Sequence, residues 1–220
     1  MEDNDNGLQS AAVKQEASLV ADIICEFLEI SINLILYVRG IYPDGIFRKC
    51  QKYGIAVMMS CHPDLNEYIK DVLIGIRSFI LAGNVERVNL HINTKEDATI
   101  ERFVFEIQFF EHGGTQISPH SQGTEQYLRD FLLKINACDA LLKPLPMSDD
   151  HTFALTVQTK ESAANDMVNF EHFEGFPWVH VNKEDKGINI EQPMIMPLKS
   201  CVTDLFHLQC FIEENAKFCK

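Results

Sequence analysis

The chain has 220 residues, 46% of them hydrophobic and 23% charged, which excludes a disordered or fibrous protein and suits one large folded domain. Its 19 basic and 32 acidic side chains give a formal charge of -13, a field that repels a phosphate backbone and argues against direct nucleic-acid binding. Seven cysteines, an odd number with no CxxC pair, predict reduced thiols in an intracellular compartment, not a disulfide framework.

The N-terminal stretch MEDNDNGLQSAAVKQE is polar and acidic, lacks the parts of a signal peptide, and predicts a disordered tail over residues 1–17. From Leu19 to Val38 the chain is strongly apolar, but Asp22, Glu26, Glu29 and Asn33 recur at helical spacing. That stripe predicts a long, mostly buried helix and no membrane span. Turn residues at Pro43 to Gly45 and at Gly54 then frame a loop and a small hairpin. A second, amphipathic helix starts at Pro63, with Leu65, Tyr68, Ile69, Val72, Leu73, Ile76 and Ile80 on one face and Gly83 to end it.

The period then changes to two. Val88, Leu90 and Ile92 alternate with Asn89, His91 and Asn93, and Phe103, Phe105, Ile107 and Phe109 alternate with polar neighbours, predicting a β-hairpin with one buried face. A third helix follows over TEQYLRDFLLKINACDALLK, with Tyr127, Leu128, Phe131, Leu132, Ile135, Cys138 and Leu142 sharing a face. TFALTVQT is a further strand with Phe153, Leu155 and Val157 inward, after which the chain is polar and irregular until LFHLQCFI. Helices and strands are not in strict alternation, so the order predicts an α+β fold with three main helices on a mostly antiparallel sheet.

No catalytic constellation stands out. The sequence has no GxSxG, GxxxxGK[ST] or HExxH motif. Cys61 and His62 are adjacent and read as a turn into the second helix. Cys201, His207 and Cys210 lack a fourth zinc ligand at conventional spacing, and on one strand His207 and Cys210 project to opposite faces. The expectation is a protein without metal or cofactor and without catalytic activity. Arg48, Lys49 and Lys52 form a small basic cluster that suits a solvated hairpin or a protein contact. Trp178, the single tryptophan, lies in GFPWVHV between polar segments and reads equally as core anchor or interface aromatic; Tyr68 has the same two readings.

The blocks CEFLE, LILYVR, YPDGIF, KYGIAV, MSCHPDLNEYIKD, FVFEI, LRDFLLKINACDALL, FPW and IMPLKS together resemble a HORMA-domain protein, in the branch that serves translesion DNA polymerase zeta. The likeness spans about residues 18–215 as one domain, whose last part, about 161–215, corresponds to the mobile safety belt of that family. The resemblance implies an adaptor that clamps a proline-containing peptide of the polymerase's catalytic subunit, at Tyr68, Trp178 and His180. It implies a second surface, at Ile195, Gln209 and Phe211, for the C-terminal domain of the scaffold deoxycytidyl transferase. These three are expected to face outward. A third surface, at Arg129, Lys134 and Ala140 with Lys49 at its edge, corresponds to the HORMA homo- or heterodimer contact, where Gly40 replaces an expected acid. An AAA+ remodeller and a nuclear location, with a cytoplasmic pool allowed, complete the expectation. The rival readings are a spindle-checkpoint HORMA regulator and an unrecognised enzyme.

Overall fold

A computed structural model of the chain describes residues 3–110, 122–146, 151–160, 176–179, 189–190 and 192–218. Helix α1, Asp3–Val38, is the central element. Its Phe27, Leu28, Ile32, Leu34 and Ile35 are fully buried, while Asp22, Glu26 and Glu29 stay outside, as the stripe predicts. Asn33 departs from that stripe. It is buried, and its side-chain oxygen accepts the Ser60 amide at 2.9 Å, tying the helix to the neighbouring hairpin. The helix begins far earlier than expected: residues 3–17 are helical, not a disordered tail. LQSAAVKQEA is rich in residues with low helix cost, and extension from an already nucleated helix costs far less than starting one.

Gly40, with φ of 62°, closes α1: its amide bonds to the Tyr37 carbonyl and that of Ile41 to the Leu36 carbonyl. This left-handed cap suits glycine because a Cβ would crowd the carbonyl. Strands β1 (Phe47–Lys52) and β2 (Ile55–Ser60) form the expected hairpin, with Tyr53 and Gly54 both at positive φ in its two-residue turn. Helix α2, Pro63–Leu81, packs on α1 and exposes Glu67 and Lys70 on its other side.

Strands β3 (Val85–Asn93), β4 (Thr99–Phe109), β5 (Thr152–Thr159), β6 (Met194–Val202) and β7 (Phe206–Glu214) make one antiparallel sheet in the order β5-β3-β4-β7-β6. Leu90, Phe103 and Ile212 lie in register on the face that joins the helical core. On the opposite face the expected polar exposure fails. Asn89, His91 and Asn93 are buried: Arg102 lies opposite His91 in register on β4, and Thr156 of β5 takes the side chains of Asn89 and His91. His91 Nε2 meets Thr156 Oγ1 at 2.9 Å, and Asn89 donates to the same hydroxyl at 3.1 Å, so β3 and β5 are joined by side chains as well as by backbone.

β6 occupies a segment expected to be irregular. Pro197 and the polar Lys199 and Ser200 hide its period, and the register shifts between Pro197 and Lys199. Helix α3, Gln122–Asn136, also ends earlier than predicted, giving way to a short 3₁₀ turn at Cys138–Ala140. Tyr127 is exposed; the rest of its predicted face, from Leu128 to Leu142, is buried as expected.

Beneath the sheet end lies a charge cluster that the sequence did not announce. Arg39, 6% exposed, donates to both carboxylate oxygens of Glu101, at 3.0 and 2.5 Å, to Asp139, and to the Lys143 carbonyl at 2.8 Å. It ties the end of α1 to β4 and to the 3₁₀ turn. Burial raises the Glu101 pKa, and the adjacent guanidinium opposes that rise. Removing one partner of such a buried pair costs about 3 to 5 kcal/mol, because the other charge is left stranded.

Candidate functional site

The sheet has two outer strands, β5 and β6, each paired on one side only among the described residues. Beside β5 the chain builds a continuous file of aromatic rings. Phe153 on β5 meets Tyr42 edge-on at 6.2 Å between centroids and Tyr68 of α2 at 5.6 Å. Tyr68 meets Phe176 at 5.9 Å, Phe176 meets Trp178 at 5.1 Å, and Trp178 meets Phe79 of α2 at 5.6 Å. All are edge-to-face pairs, each worth about 0.5 to 1.5 kcal/mol beyond the area it buries.

Local sequence explains the placement. Pro177 fixes its own φ near the value a three-residue turn needs, and the Trp178 amide donates to the Phe176 carbonyl at 3.0 Å. The turn sets Phe176 and Trp178 side by side against α2. On that helix Tyr68, Val72, Gly75 and Phe79 recur at three- and four-residue spacing, so one stripe faces the turn. Gly75 is the small member: a Cβ there would stand 2.4 Å from Trp178 Nε1 and 3.1 Å from its Cε2. The indole therefore lies directly on the helix backbone. Its N–H is buried and has no acceptor among the described residues.

Burial raises the pKa of both Tyr42 and Tyr68, with each other's proximity adding to the rise for Tyr68. Both hydroxyls remain protonated donors at neutral pH. Tyr68 is 36% exposed and Trp178 half-buried, so the groove has an open side. Tyr68 and Trp178, singled out in the sequence, are thus brought into one file through Phe176. His180 lies outside the described residues. Phe79, Phe176, Tyr42 and Gly75 were missed as site residues; the aromatic spacing F-P-W was the available signal for Phe176.

The second predicted surface is on the outward face of β6 and β7. Gln209 and Phe211 share that face, and Ile195 pairs in register with Glu213 of the same row. Ile195 is exposed at 60% and Gln209 is partly exposed. Phe211 corrects the expectation: it is buried, flanked in register by Val104 and Pro197, with the Arg87 guanidinium 6.0 Å from its ring centre. An outward direction did not mean an open ring, because neighbouring strands and a long cation cover it. On this face Ile195 and Val202 are exposed, in register with Glu213 and His207, with the covered Phe211 between their rows; Met194, in register with Glu214, lies on the other face.

Of the third surface, Lys134 and Ala140 are exposed on α3 and the following turn, and Lys49 is exposed on β1. Arg129 is half-buried, with Nη1 3.9 Å from the place a Gly54 Cβ would take, so it rests on the β1–β2 turn. The imagined zinc ligands diverge. Cys201 and Cys210 are buried with the core, while His207 bonds to Ser200 Oγ at 2.9 Å; no metal-binding group occurs among the described residues.

The HORMA domain model matches residues 20–169. The chain belongs to the HORMA-domain family. It is 40% identical over 201 residues to the human mitotic spindle assembly checkpoint protein MAD2B, covering 90% of this chain and 92% of that one. It is also similar to DNA polymerase zeta subunit 2 of Drosophila melanogaster, at 27% identity over 186 residues, 83% of this chain and 91% of that one. In shape it resembles a chain of the crystal structure of the mitotic checkpoint complex, with a TM-score of 0.71 and 21% identity over 89% of this chain and 98% of the other. The expected fold of three helices on an antiparallel sheet is thus that of the family.

Proposed function

We propose that this HORMA protein is a non-catalytic adaptor subunit of translesion DNA polymerase zeta. It holds an extended peptide of the catalytic subunit along the edge of β5, which is unpaired among the described residues, and bridges it, through Ile195 and Gln209 on the outward face of β6 and β7, to the scaffold polymerase. The observation that carries the reading is the aromatic file beside β5. An open strand edge supplies backbone hydrogen bonds in register, and flanking rings supply side-chain pockets, the two parts of recognition by strand addition. Flat rings at the pocket wall suit the rigid, apolar pyrrolidine of a proline. The name of the Drosophila relative supports the choice of polymerase.

The name of the human relative favours a second reading, a checkpoint regulator that uses the same groove for a cell-cycle protein. The exposed residues Lys134, Ala140 and Lys49 offer a face for a second HORMA chain, and the N-terminal end of α1 offers a handle for an AAA+ remodeller. The polymerase reading places the protein in the nucleus.

Affinity purification of the tagged chain from its own cells, with mass spectrometry, tests the choice. The polymerase reading expects the catalytic subunit and the scaffold polymerase to be recovered, and the catalytic subunit to be lost with Trp178→Ala. Recovery of mitotic regulators without either polymerase overturns it in favour of the second reading.

A further inference from the structure

Gly75 occupies a costly place. It sits in the interior of α2, twelve residues after Pro63, where glycine weakens a helix relative to alanine. It is buried, so solvent contact does not explain it, and its φ is not in the left-handed region that would require it. What stands over it is the Trp178 indole, at a distance that leaves no room for a side chain. Among the described residues the indole N–H has no acceptor, so contact with the helix backbone and the flanking rings, not a hydrogen bond, fixes the ring.

From this contact we infer that Gly75 is a positioning residue: it forms the seat that docks Trp178 and thereby sets the Phe176–Val179 turn against the peptide groove. The seat gives the ring its contact with Gly75, Phe79 and Phe176. The inference rests on the groove reading proposed above.

The single tryptophan makes the seat directly visible by fluorescence, with or without a peptide. Three variants of the full chain are compared: Gly75→Ala, Trp178→Ala, and the double variant Gly75→Ala/Trp178→Phe, whose smaller ring lacks the indole nitrogen. The probe is a labelled synthetic peptide from the proline-containing segment of the polymerase zeta catalytic subunit.

Alanine strengthens an isolated helix, so a glycine that is only a helix defect predicts a higher melting temperature and no other change. The seat predicts a red-shifted, more quenchable emission for unliganded Gly75→Ala and peptide release on the order of 10-fold faster, the scale of an overpacked contact. The double variant is expected to release peptide more slowly than Gly75→Ala, since the pressing atoms are gone. Wild-type emission and release in Gly75→Ala overturn the seat. If Gly75→Ala fails to fold, recovery of folding in the double variant supports the seat, and failure of both overturns it. Weak peptide binding by Trp178→Ala with unchanged Gly75→Ala sinks only the seat. Unchanged binding by Trp178→Ala sinks the groove reading itself, while the emission of Gly75→Ala still reports on the seat.

Discussion

The two outer strands of the sheet differ in how open their edges are among the described residues. β5 runs from Thr152 to Thr159 without proline, beside a file of rings contributed by α2 and by Phe176 and Trp178. β6 carries Pro197, which cannot donate to a ladder, and a register shift directly after it. It is also held by α3, where Lys199 reaches Asp130 at 3.3 Å. Proline and bulge are the ordinary means of keeping an edge from pairing with another strand. One edge is therefore blunted while the other is open among the described residues, which supports the proposal that an extended partner adds along β5.

The sharpest way to break this contrast is to remove the ring that stands over the receptive side. Trp178→Ala is expected to lose about 2 to 4 kcal/mol of peptide binding, the scale of an aromatic hot spot, with circular dichroism unchanged. Isothermal titration with the catalytic-subunit peptide measures it, and wild-type affinity would return Trp178 to the role of core anchor.

A loss of similar or smaller size is expected from acid. His91 links β3 to β5 through Thr156, and burial, with the nearby Arg102 charge adding to it, holds its pKa down to about 3. A folded-state pKa below the unfolded value means that the unfolded chain binds the proton first. Stability from this group is full above about pH 6.5 and falls as pH drops towards 3, by about 2 kcal/mol at pH 5. Urea melts at pH 7 and pH 5 should show that loss in the wild type and a smaller pH dependence in His91→Gln. An equal pH dependence in both would remove His91 from the account.

Two smaller effects sharpen the contrast from the β6 side. Ile195→Ala should weaken scaffold-polymerase binding by about 1 kcal/mol and leave peptide affinity unchanged, since distant sites are close to additive. Ile195 is the cleaner probe because Phe211 is buried and its truncation would open a cavity. Pro197→Ala should change stability by no more than about 0.5 kcal/mol, since it lies exposed on an edge. Its restored amide makes β6 less blunt, so sedimentation at increasing concentration should detect more self-association than in the wild type.

Periodicity made α2, the β3–β4 hairpin and the buried face of α3 legible, because each has one apolar stripe with clear turn residues at its ends. It failed where tertiary neighbours decide the outcome. Asn89, His91 and Asn93 look like a solvent face, yet cross-strand partners bury them. β6 was hidden by Pro197, whose meaning depends on which strand is an edge. The Arg39–Glu101 pair joins residues 62 positions apart, and no local pattern announces it. For the groove, the residues alone left Tyr68 and Trp178 each as core anchor or interface aromatic, and family likeness favoured the interface: Trp178 stands in a polar stretch with no period to read, and the period of α2 does not say what Tyr68 meets. Gly75 was invisible because its significance lies in the atom above it.

Hydrogen exchange of the backbone amides, with and without the catalytic-subunit peptide, tests the central claim most directly. If the peptide adds as a strand, alternate amides of β5 between Thr152 and Thr159 should gain protection together with Phe176 and Trp178, while β6 between Met194 and Val202 stays as it was. Protection gained along β6, or peptide binding that leaves the β5 amides exchanging as before, would contradict the assignment of the receptive edge.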